Sequence, residues 1–207
     1  MSDYAALVAT LHRCAERVKV ARLTLGEVLD SLEEASFCFI SIILTLPFLQ
    51  PISLGPLATV GGLTFAALGW QLFRGHRSPV LPQKIRNTEM SSRAWEVMIA
   101  LCLKIIGWCR RISRPRYTSW VTGGKGRQIA GVILISAGLL MAIPFFGIPF
   151  NNALPALAIL FVCIGELEQD GVMVFIALGW LVITVVYFVL ILLAIWLLGE
   201  QAIDLLR

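Results

Sequence analysis

The chain has 207 residues, 58% of them hydrophobic and only 14% charged, with a mean hydropathy of +0.83 and a formal net charge of +4. A water-soluble domain carries about 25% charged residues, so this composition excludes an ordinary soluble enzyme and predicts an all-α integral membrane protein. The positive charge is gathered beside the apolar segments and reads as a topology signal; no nucleic-acid partner is expected.

Sixteen of the seventeen Lys and Arg residues fall in 1–35, 74–93 and 104–127. The positive-inside rule assigns those three regions to the cytoplasmic side. The beginning, MSDYAALVATLHRCAERVKVARLT, is polar and amphipathic, so no cleaved signal peptide is expected there.

Residues 1–35 form an amphipathic N-terminal segment. Within it TLGEVLDSLEE starts with Thr24 and carries Glu27 three positions later, the pattern of a capping box. Leu25, Val28, Leu29 and Leu32 then fall on one helical face. Residues 36–75 are too long for a single span and are interrupted by Pro47, Pro51, Gly55 and Pro56, which predicts a helical hairpin, re-entrant or spanning. In its second half Ala58, Gly62 and Ala66 recur every four residues, a small-residue stripe suited to close helix packing in lipid.

Residues 76–127 read as a basic cytoplasmic loop. Inside it, 93–111 is expected to be a helix lying in the membrane interface, because Arg93, Glu96, Lys104 and Arg111 share one stripe and Trp95 and Trp108 lie near its ends. As a span it would strand five or six positive charges outside. Residues 128–171 form a second hairpin, broken at Pro144, Pro149, Asn151, Asn152 and Pro155. Residues 172–200 are an uninterrupted apolar run long enough to cross a bilayer.

The two hairpins resemble each other. ILTLPFLQP matches LMAIPFFGIP, and ALGWQLFRG matches CIGELEQDG; Pro47 and Pro144 lie 97 positions apart, while Gly69 with Gly165 and Gly75 with Gly171 lie 96 apart. Paired Pro/Gly-interrupted segments of this kind mark internal repeats in transporter-like folds. In that register Arg74 corresponds to Asp170 and Trp70 to Glu166, which predicts an electrostatic contact between Arg74 and Asp170 or Glu166.

Cys14, Cys38, Cys102, Cys109 and Cys163 contain no CxxC pair, and His12 and His76 have no ligand spacing, so neither a metal nor a cofactor is expected. The candidate binding residues are the polar groups of the breaks and helix ends. Gln50, Asn151 and Asn152 would line a cavity where the breaks meet, and Gln71, Arg74 and Asp170 would lie at its cytoplasmic mouth.

Several pieces carry a family resemblance: LP near 46, GxQxxxGxxxPxLP from Gly69 to Pro82, and P-F-x-N-x-L-P-A from Pro149 to Ala156, followed by the acidic DG at 170–171. On these the chain resembles the exopolysaccharide synthesis ExoD family of bacterial inner-membrane proteins over most of 24–200. ISLG stands where the family tends to have Pro-Pro-Gly, and Glu166 where it tends to be apolar. The resemblance implies a multi-pass protein of the bacterial inner membrane, acting in exopolysaccharide production, and does not define a reaction.

Three functions compete. The first is a small transporter-like or lipid- or ion-handling protein with a polar site at the breaks and membrane lipids, including anionic headgroups, as partners. The second is a non-catalytic scaffold that pairs with itself or with polysaccharide-assembly proteins. The third, an enzyme on lipid-linked sugars, lacks a nucleophile–base pair, a phosphate-cradling loop and a metal set, so no catalytic residue is assigned.

Overall fold

The computed structural model describes residues 35–51, 54–80, 113–145 and 148–205, with side chains to 197, and isolated positions elsewhere. Every regular element among the described residues is helical. They are α1 (Ser36–Thr45), continued by a 3-10 turn (Leu46–Leu49), α2 (Pro56–Phe73), a 3-10 turn (Thr118–Trp120), α3 (Gly123–Ala142), α4 (Ala153–Glu168) and α5 (Gly171–Leu205). The all-α architecture agrees with the sequence. α2, α3 and residues 171–197 of α5 are each long and apolar enough to cross a membrane.

Proline sets the interruptions. Pro47 is the second residue of the 3-10 turn, Pro56 takes the first position of α2, and Pro144 follows Ile143, whose extended ψ of 122° ends α3. A residue before proline is driven out of the helical region, and proline itself has no N–H for a helix interior. α3 begins at Gly123, earlier than the sequence suggested, and takes in Lys125 and Arg127.

The core is built on an unusually close antiparallel pair, α2 and α3. A methyl group added at Gly62 would meet the Gly138 carbonyl oxygen at 2.5 Å, and one at Gly69 would meet that of Gly131 at 2.7 Å. The reverse contacts are equally tight, 2.6 Å from Gly138 to the Gly62 oxygen and 2.8 Å from Gly131 to the Gly69 oxygen. Two glycines seven residues apart on each helix therefore bring the backbones together, which is how helices gain packing contact when lipid supplies no hydrophobic drive. Ala66 belongs to the same seam, since a methyl at Gly138 would reach its nitrogen at 2.7 Å. The stripe read from the sequence thus packs against α3, with Gly69 as its second close contact.

α4 packs against α1, α3 and α5. Phe37 of α1, Phe65 and Leu68 of α2, Ile133 and Leu134 of α3 and Ile159 and Val162 of α4 are almost completely buried. Beyond Phe188 α5 leaves the bundle: from Val189 to Leu197 every residue is exposed except the half-buried Ile191.

In the N-terminal segment the capping box forms. The Thr24 N–H donates to Glu27 Oε2 at 2.9 Å and the Glu27 N–H donates to Thr24 Oγ1 at 3.3 Å. Of 93–111, the described positions Arg93, Val97, Ala100, Lys104 and Gly107 are helical and exposed. The remainder of that segment, and most of 1–34, lie outside the described residues.

Candidate functional site: the junction of two broken hairpins

The breaks between α1 and α2 and between α3 and α4 meet. The Phe150 N–H donates to the Pro51 carbonyl at 3.2 Å, joining them through backbone. The Tyr187 hydroxyl reaches across from α5 to donate to the Pro149 carbonyl at 2.6 Å, and the Asn151 amide donates to the Phe145 carbonyl at 2.8 Å. Proline and chain reversal free carbonyls from helical partners, and a buried free carbonyl must find another donor. Two of the freed carbonyls at this junction are answered by side chains.

Asn152 is the exception. It is 1% exposed, stands at the N-cap position of α4 without making a side-chain cap, and neither its amide nitrogen nor its amide oxygen has a partner. An asparagine at this position usually accepts from the N–H groups of the first turn. Here its backbone φ of −94° and ψ of −34° are helical, while its carbonyl accepts from Ala156 at 3.1 Å. Leaving an amide buried and unpaired costs about 1–3 kcal/mol. On α1, the Ser41 hydroxyl is also buried and unpaired, while Thr45 bonds back to the Ser41 carbonyl at 2.6 Å.

Gln50 does not join the asparagines. It is exposed at the outside of the junction, while Asn151 and Asn152 face inward. The expectation of one cavity lined by all three is therefore divided: Gln50 sits exposed in the extended backbone after the 3-10 turn, while both asparagines are buried.

The other three candidates lie at the opposite helix ends, and each has a local partner. Asp170 is 2% exposed and caps α5. Its Oδ1 accepts the Val172 N–H at 3.0 Å, and its Oδ2 accepts the Ser113 hydroxyl at 2.9 Å and the Arg114 N–H at 3.0 Å. A carboxylate at a helix N-terminus is further stabilised by the helix dipole. Next to it the Gly171 N–H donates to the Arg116 carbonyl at 2.7 Å, and a methyl at Gly171 would come within 2.5 Å of the Tyr117 oxygen. The DG pair is thus a latch that fastens the basic stretch 113–117 to the start of α5.

Gln71 makes a two-point clamp. Its Oε1 accepts the Val80 N–H at 2.6 Å and its Nε2 donates to the Val80 carbonyl at 3.3 Å. With Gly75 in a left-handed conformation (φ 80°), this turns the chain back after α2. Arg74 is exposed, and its guanidinium lies 5.2 Å from the centre of the Trp70 ring. It makes neither of the contacts, with Asp170 or with Glu166, that the repeat register suggested: Asp170 is engaged by Ser113, Arg114 and Val172, and Arg74 extends over its own helix.

Ser113 and Tyr187 are contributors that the sequence analysis does not single out. Ser113 lies in the basic run RRISRPR without any motif. Tyr187 did carry a signal: a phenol inside an apolar run needs a partner for its hydroxyl.

Among the described residues the fold and this junction define an all-helical arrangement with Pro-broken hairpins and three helices long and apolar enough to cross a membrane. The family model for exopolysaccharide synthesis, ExoD, matches residues 7–190, so the chain belongs to the ExoD family. It is 30% identical over 166 residues to Protein ExoD of Rhizobium meliloti (strain 1021), covering 80% of this chain and 69% of that protein. No solved structure matches it.

Proposed function

We propose that this chain is a non-catalytic, transporter-like or lipid- and ion-handling protein of the bacterial inner membrane. It serves exopolysaccharide synthesis by holding a small hydrogen-bonding species, an ion or the polar group of a lipid, at the junction of its two breaks. The observation that carries this reading is the Asn152 amide, buried at 1% exposure with both polar atoms unpaired. Buried amides are nearly always satisfied, and one left open beside satisfied neighbours is a place for a ligand. Asn152 also occupies the N of P-F-x-N-x-L-P-A, the pattern that carries the family resemblance, whereas Asn151 stands at an unspecified position.

The spacing and pairing of the two hairpins support the same reading. α2 and α4 start at residues 56 and 153, 97 positions apart, matching the spacing of Pro47 and Pro144. The packing has the pattern of an exchange: the second helix of the first hairpin lies against the first helix of the second, α2 on α3, and α1 correspondingly lies on α4. A site at the interface of two such repeats is where transporter folds hold their cargo.

A second reading, a scaffold for a second copy or for polysaccharide-assembly proteins, is favoured by the internal use of most candidate groups. Asn151, Gln71 and Asp170 all serve as caps or clamps. The deciding test is exopolysaccharide output in a strain lacking its own copy and complemented with Asn152→Leu. Loss of output with normal membrane insertion supports the site; full output favours the scaffold.

A further inference from the structure

We propose that both hairpins enter and leave the bilayer through the same basic face, that their junction lies inside the hydrocarbon, and that of the five described helices α5 alone crosses to the far side. Along this length α5 presents its apolar surface to lipid acyl chains. The inference is independent of what Asn152 holds.

The first ground is connectivity. α2 runs away from the junction and α3 runs back to it, as the crossed glycine pairs Gly62 with Gly138 and Gly69 with Gly131 require. At the outer end of this pair Arg127 donates to the His76 carbonyl at 3.3 Å, so the chain leaves α2 and enters α3 at one place. The start of α5 is there too, since the Gly171 N–H donates to the Arg116 carbonyl. A connector that begins and ends at one end crosses the bilayer an even number of times or not at all. Arg74, Arg77, Arg114, Arg116 and Lys125 are all exposed at this end, which makes it the cytoplasmic face.

The second ground is depth. Trp70, Tyr117 and Trp120 are exposed near the basic end, and Tyr117 and Trp120 both pack on Phe175 of α5. Exposed Trp and Tyr mark the membrane–water interface. At 1.5 Å per residue, Phe175 to the exposed Trp196 is about 32 Å, which fits a hydrocarbon layer of about 30 Å. The junction is shallower. Tyr187, which bonds Pro149, is about 18 Å along α5 from Phe175, and Pro56 is about 21 Å along α2 from Trp70. The hairpins therefore stop about 10 Å short of the far surface.

The third ground is the bare end of α5. Among the described residues no element covers Val189–Leu197, where every residue but the half-buried Ile191 is exposed, and the stretch is apolar around its whole circumference. Hairpins that crossed completely would leave this stretch in water; hairpins that stop short leave it in the far leaflet.

The test uses the full chain with its five native cysteines replaced, carrying single reporters. His76→Cys and Ser119→Cys should react with an impermeant maleimide from the cytoplasmic side, and Gln201→Cys from the opposite side. Bimane on Gln50→Cys and on Leu190→Cys, in proteoliposomes, should be quenched at least twofold more by lipids brominated in mid-chain than by lipids with a quencher on the headgroup. Labelling of His76→Cys and Ser119→Cys from opposite sides, or of Gln201→Cys from the cytoplasmic side, overturns the topology. Stronger headgroup quenching at position 50 means that the hairpins cross fully. A Leu190 reporter shielded from every lipid quencher means that a second copy covers α5. Either result overturns the placement.

Discussion

Asp170 and Ser113, 57 positions apart in the chain, are joined by a hydrogen bond of 2.9 Å that closes the basic stretch 113–117 onto the first turn of α5. The carboxyl group also takes the Arg114 and Val172 N–H groups, so one buried side chain serves as both helix cap and loop anchor.

Replacing it should be costly. Asp170→Ala removes an N-cap and strands a buried hydroxyl and a backbone N–H, a loss of about 2–4 kcal/mol. Arg74→Ala should change stability by no more than about 1 kcal/mol, the size of an exposed cation–π contact. Thermal unfolding in detergent of the two single variants and the double variant should be additive. The pair Ser113→Ala and Asp170→Ala should instead be strongly non-additive, because each removes the same bond.

The glycine seam gives a prediction of opposite sign at two kinds of site. Gly62→Ala or Gly138→Ala forces a methyl into opposing backbone and should destabilise by about 1–3 kcal/mol. Gly179→Ala, on α5, meets nothing within 4 Å and should be neutral or mildly stabilising through helix propensity. Denaturant or thermal midpoints of the three variants provide the comparison.

The Gln71 clamp makes a local prediction. Gln71→Ala leaves both polar groups of Val80 without their side-chain partner. Amide hydrogen exchange at Val80 should accelerate at least tenfold, while exchange in the middle of α2 and α3 stays as before.

Tyr187→Phe removes the hydroxyl that answers the Pro149 carbonyl. Hydrogen bonds between side chains and backbone in membranes are worth about 0.6–1.7 kcal/mol, and unfolding of this variant should fall by that amount. A stability equal to the parent would mean that the carbonyl has another donor.

Much of the helical architecture was legible because apolar runs and prolines act locally. Pro47, Pro56 and Pro144 set helix ends wherever they occur, and the Thr24/Glu27 box needs only its own spacing. What failed depended on tertiary placement. The register that matched Arg74 to Asp170 compares equivalent positions of two similar hairpins, and equivalence does not bring residues into contact. Asp170 was drawn instead to a serine in a loop with no recognisable pattern. The two adjacent asparagines were read alike from sequence, and only the fold separates Asn151, bonded to Phe145, from Asn152, bonded through neither side-chain atom.

That separation gives the most direct measurement: thermal unfolding and exopolysaccharide production of Asn151→Leu and Asn152→Leu, made and measured together. Asn151→Leu deprives the Phe145 carbonyl of its donor and should lower stability by about 1–3 kcal/mol. Asn152→Leu removes an amide that contributes nothing to the fold and should leave stability equal or higher while abolishing production. An Asn152→Leu protein as stable as the parent and fully productive would contradict the assignment of the junction as the working site.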